Sequence, residues 1–80
     1  MGMSKRLAAM RANPNAGWTI ADVEALCAEF GILCKPGRGS HHRIGHASQA
    51  EKLTIPARRP IKAVYIRDLV RFVEQVRAAS

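Results

Sequence analysis

The sequence predicts an α+β domain, a three-stranded antiparallel sheet with two helices on one face. Two apolar stripes at helical spacing, one early and one at the end of the chain, bracket three short β-type runs divided by turn residues. The chain of 80 residues has room for one compact domain, which buries only about 60% of its unfolded surface. A single thin core must therefore satisfy every apolar stripe at once.

The first predicted element is a short helix over Ser4–Ala12, ended by the turn "NPN" at Asn13–Asn15. It belongs to an N-terminal extension, residues 1–16, ahead of a main domain at 17–80. Within "GWTIADVEALCAEFG", Thr19 is the N-cap and Asp22 lies three residues on, an acid in the first turn. Ile20, Val23, Leu26, Cys27 and Phe30 recur at three- and four-residue steps, and Gly31 stands where a left-handed residue ends a helix. Trp18, just before this helix, is read as a core anchor, with contact to a partner as the alternative.

"ILCK" at Ile32–Lys35 is the first strand and "PGRG" a turn. "SHHRIGHA" forms the second arm of a hairpin, and "KLTIP" a third strand stopped by Pro56. Pro56 and Pro60 keep "ARRPIKA" irregular. The segment "VYIRDLVRFVEQVRAA" is helical, with Ile66, Leu69, Val70, Val73 and Val76 facing inward and Arg67, Arg71, Glu74 and Arg77 outward. Arg71 and Glu74 are expected to pair at i,i+3. Packing both helices on one face of three consecutive antiparallel strands buries these stripes and leaves the other face to water. That α-β-β-β-α order is the double-stranded-RNA-binding-like architecture.

Charge narrows the partners. The chain carries 13 Lys and Arg against 6 Asp and Glu, a net +7. Residues 1–40 hold five basic and three acidic groups and residues 41–80 hold eight and three, so the excess begins at the histidines. Such a field attracts polyanions, nucleic acid first among them. No apolar run approaches the roughly 20 residues that span a bilayer, and "MGMSKRLAAMRANPN" has no apolar segment of the secretory-signal kind. Cys27 and Cys34 form neither a CxxC pair nor a disulfide framework, and free buried thiols in the cytoplasm are expected.

All three histidines fall within "GRGSHHRIGH", Gly37–His46. On a strand, side chains two apart share a face. Ile44 should face the helices, taking His42 and His46 with it, while His41 and Arg43 point to the open side. In a strand His42 and His46 would stand roughly 13 Å apart, too far to share a metal ion. Ser40 beside His41 is sequence adjacency and not a nucleophile–base geometry. No metal and no cofactor are expected. An imidazole moves protons near neutral pH and a neighbouring arginine holds phosphate oxygens, a combination suited to phosphodiester chemistry. Gly37 and Gly39 would let an RNA backbone approach the turn closely.

Taken in order, "GWTIADVEALCAEFGI", "GSHHRIGHA" and "LTIPARRPIKAVYIRDLVRFVE" resemble the HicA toxins of bacterial and phage toxin–antitoxin pairs, over residues 17–76. The resemblance implies the same RNA-binding-like fold and a metal-independent endoribonuclease that cleaves mRNA as the toxin of a type II system. It implies a HicB-type antitoxin as partner, covering the active surface. The family's catalytic histidine follows Gly-Ser, which carries over onto His41. Members reading Gly-Ser-Asn-His make His42 the second choice, while strand alternation favours His41.

The expected phosphate-binding residues are Gly39, Ser40, Arg43, Lys52, Arg58, Arg59 and Lys62, with His46, Lys52 or water protonating the leaving oxygen. The alternatives are a non-catalytic RNA-binding module and an antitoxin-binding subunit without nuclease activity. Against the former, the chain has only four aromatics, Trp18, Phe30, Tyr65 and Phe72, where single-strand binders stack bases on aromatic rings.

Overall fold

The computed structural model describes residues 4–79. Its elements run α1 (Lys5–Ala12), α2 (Ile20–Glu29), β1 (Leu33–Pro36), β2 (His41–Gly45), β3 (Leu53–Pro56) and α3 (Ala63–Ala79). The three strands form one antiparallel sheet in sequence order. The architecture is thus α+β, α-β-β-β-α with one further helix in front.

The cap residues act as the sequence implies. Thr19 and Asp22 form a reciprocal capping box at the start of α2. Its end is a Schellman motif: Gly31, at φ +66°, follows the last turn, and Ile32 N–H returns to the Cys27 carbonyl at 2.9 Å. Ile32 is buried beneath this cap. It therefore serves the helix end instead of the sheet, and β1 starts one residue later than the expected Ile32.

Register sets the two faces. Cys34 stands opposite Ile44 and Ile44 opposite Leu53, while His42 stands opposite Ile55. Ile44 and Ile55 are fully buried in the core with Leu26, Ile66 and Leu69. Lys35, Arg43 and Thr54 share the other face and are exposed. α2 packs on β1 and α3 on β3. α3 buries its whole expected stripe and Phe72 as well.

Residues 4–12 of the expected extension join this core; Met1–Met3 lie outside the described residues. Ser4 Oγ caps α1 by accepting the Leu7 N–H at 3.1 Å, and it also bonds the Glu29 carboxylate. Leu7 and Met10, one turn apart, are fully buried, and α1 packs along α3. Arg6 pairs with Glu29 and Arg11 with Glu74.

Two side-chain expectations need correction. Glu74 does not pair with Arg71, because α1 docks alongside and brings Arg11 to it. Arg71 turns back to Asp68 at 3.9 Å. His46 is not in the β2 ladder, which ends at Gly45. There the chain turns: Ser48 donates its N–H to His46 Nδ1 at 3.0 Å, and Gln49 N–H bonds the His46 carbonyl. Among the described residues no helix is long and apolar enough to cross a membrane.

Candidate functional site

The β1–β2 turn sets the position of His41. His41 N–H donates to the Arg38 carbonyl at 3.1 Å, and Gly37 N–H donates to the His41 carbonyl at 2.7 Å. Between Arg38 and His41, Gly39 takes φ +59° while Ser40 keeps a negative φ. A positive φ at the first central position alone is the pattern of a type II′ turn, which suits glycine there. A Cβ on Gly37 would stand 3.3 Å from the His41 carbonyl oxygen, so the two glycines let the turn close this tightly.

The ring of His41 is held by the same turn. Its Nδ1 lies 3.3 Å from the Arg38 carbonyl oxygen. A carbonyl only accepts, so the neutral tautomer that fits this contact carries its proton on Nδ1 and its lone pair on Nε2. The side chain is exposed, and no described group occupies Nε2.

Opposite stands the irregular segment between β3 and α3, tied at both ends. Ala57 N–H bonds the Ser40 carbonyl at 2.6 Å, and Ile61 N–H bonds the Trp18 carbonyl at 2.9 Å. The Ile61 side chain is buried in the core. Trp18 packs against that core, with its indole N–H donating to the Asn13 carbonyl at 2.9 Å. These ties close a cleft of about 280 Å³ walled by Ser40, His41, Arg58, Ile61, Lys62 and Tyr65. One wall is the start of α3, whose first turn holds no acidic residue. Its backbone N–H groups add partial positive charge to that of Arg58 and Lys62.

The cleft therefore gathers four of the expected site residues, Ser40, His41, Arg58 and Lys62. Gly39 shapes the turn beside it. Arg59 is exposed and forms no part of the wall. Arg43 and Lys52 lie apart from the cleft, in a groove on the open sheet face with Lys35 and Arg38. Tyr65, Lys35 and Arg38 were not singled out from sequence.

His42 points the other way, toward α2. Its Nε2 is 3.7 Å from the Glu24 carboxylate, and its Nδ1 is buried without a hydrogen-bond partner. An unsatisfied buried polar atom destabilises a fold. His42→Leu is therefore expected to raise stability by about 1 kcal/mol, read as a higher midpoint in urea unfolding.

The thiols do not supply a nucleophile. Burial, followed by the nearby Cys34, pushes Cys27 up to about 12, and burial also raises Cys34. Both therefore stay protonated at neutral pH. Among the described residues no three His, Cys, Asp or Glu side chains converge as metal ligands.

No protein-family model, curated protein or solved structure matches this chain.

Proposed function

We propose that the protein is a metal-independent endoribonuclease that cleaves mRNA in the cytoplasm, the toxin of a HicA-like toxin–antitoxin pair. One observation carries the reading: an exposed histidine whose Nδ1 lies against the Arg38 carbonyl lines the same cleft as Arg58 and Lys62. A base beside an anion site is the minimum that RNA transesterification requires.

In this mechanism His41 Nε2 takes the proton of a ribose 2′-hydroxyl. The 2′-oxygen then bonds to the adjacent phosphorus as the bond from phosphorus to the 5′-oxygen breaks. Arg58, Lys62 and the start of α3 offset the charge growing on the non-bridging oxygens. The departing 5′-oxygen takes a proton from the Lys62 ammonium, the Tyr65 hydroxyl or water; His46 and Lys52 lie outside the cleft. The products are a 2′,3′-cyclic phosphate and a free 5′-hydroxyl.

The +7 charge of the chain supports a polyanionic substrate. The same resemblance supports a HicB-type antitoxin that covers the cleft and silences it.

The test is the substrate itself. RNA carrying deoxyribose only on the 5′ side of the scissile phosphate should remain intact at that bond, while the all-ribose strand is cut to cyclic-phosphate ends. Cutting at the deoxyribose position would rule out the 2′-oxygen as nucleophile.

A further inference from the structure

The face of the sheet turned away from the helices carries a second cationic surface. Lys35 on β1 stands directly opposite Arg43 on β2. Lys52 lays its aliphatic stem over Gly45, where a Cβ would come within 3.5 Å of Lys52 Cγ. With Arg38 from the turn, these residues wall a groove of about 410 Å³ that has no carboxylate among the described residues of its lining. None of the four cations forms an ion pair among the described residues. Four uncompensated positive charges around one groove repel one another, which disfavours the arrangement unless an anion is bound there.

Strand geometry connects this groove to the cleft. His41 and Arg43 are two residues apart on β2 and so share the open face. Their side chains are spaced by roughly 6.6 Å, close to the step between successive phosphates of an extended strand. A chain held at the cleft therefore meets Arg43 and Lys35 at its neighbouring phosphates. Gly37, exposed at the turn end of the groove, adds no side chain to hold the backbone away.

What the groove lacks is equally informative. None of the four aromatics lines it, and Leu33 is its one strongly exposed apolar residue. Bases find no stacking platform, and a protein partner finds no aromatic anchor.

We propose that this open face is a phosphate track for single-stranded RNA beside the cleavage site, holding the backbone without reading the bases. The proposal rests on RNA as the substrate, but not on His41 as the base. It implies that affinity for long RNA arises largely outside the cleft and is insensitive to sequence.

The experiment uses the full chain carrying His41→Ala, so that bound RNA is not cut. A fluorescent unstructured RNA of roughly 12 nucleotides is titrated at several salt concentrations. Lys35→Ala and Arg43→Ala, added separately, should each lower the slope of log affinity against log salt by about 0.7. Each should also weaken binding about 5-fold at 0.1 M salt. Oligo-A and oligo-U should bind within a few-fold of each other.

Slopes unchanged by both substitutions would overturn the track, as would a strong preference for one homopolymer. Loss of an acidic protein partner with RNA binding intact would make the face a protein-docking surface instead, and would overturn it too. Failure of the wild-type chain to cut RNA would count against the ribonuclease reading alone, since the slopes are measured on uncut RNA.

Discussion

A His41→Ala protein is expected to cleave RNA at least a hundredfold more slowly than wild type while keeping its fold. A well-placed general base contributes about 10²–10⁴-fold, or roughly 2.7–5.4 kcal/mol of transition-state stabilisation. The substitution removes the only imidazole among the described residues lining the cleft, and its contact with the Arg38 carbonyl. It leaves the turn intact, because that turn is closed by the backbone bonds between Gly37 and His41 and between His41 and Arg38. An exposed side chain adds little to the core, so circular dichroism and the urea midpoint should match wild type.

The readout is single-turnover cleavage of a mixed-sequence RNA, paired with growth arrest on induction in cells. His42→Leu serves as the internal contrast. Its ring faces α2 and Glu24, so that variant should cut RNA and arrest growth like wild type. Equal cleavage by His41→Ala and wild type would refute the assignment, and loss of cleavage only in His42→Leu would transfer it to the neighbouring histidine. A non-catalytic RNA-binding module would cut RNA in neither form.

The contrast between the two histidines is legible in the sequence, because strand alternation is a strict period of two. Ile44 had to face the core, so His42 had to follow it and His41 had to oppose it. The two long helices were legible for a similar reason. Thr19, Asp22 and Gly31 mark the ends of α2 through local hydrogen bonds, and the stripe of α3 has one periodicity along its length.

Which cations meet was not legible. Arg43, Lys52, Arg58, Arg59 and Lys62 look alike in a sequence, and all five were expected to serve the phosphate. Their division into cleft, groove and solvent depends on contacts between distant residues. The bonds from Ala57 to Ser40 and from Ile61 to Trp18 bring Arg58 and Lys62 to His41. Arg43 stays on the sheet because the strand register sets it opposite Lys35, and Lys52, just ahead of β3, lies with its stem against Gly45. Tyr65 was hidden by its setting, since an aromatic at the start of a helix reads as packing. It does both, touching the core and lining the cleft.

The first helix is expected from the sequence but its place in the core is not, and that docking yields the second strong expectation: Leu7→Ala should destabilise the protein by about 2–5 kcal/mol. α1 has eight residues, well short of the roughly 12–15 at which an isolated helix becomes even marginally stable in water. Its order therefore derives from docking, and that docking rests on Leu7 and Met10, both fully buried. The ion pairs to Glu29 and Glu74 are partly exposed, and such pairs contribute at most about 1 kcal/mol each.

A domain of this length has a total stability of only about 4–12 kcal/mol. Truncating Leu7 therefore removes a large share of it and lowers the melting temperature by at least about 8 °C. Arg11→Ala, which cuts an exposed tie of the same helix, should shift it by no more than about 8 °C. The end of α1 also accepts the Trp18 indole N–H at Asn13, and the Trp18 carbonyl holds Ile61 at the cleft. Loosening α1 should then slow cleavage well below the melting temperature. A Leu7→Ala protein that melts within a degree or two of wild type would mean that α1 is an appendage, and that Trp18 is held by the rest of the core.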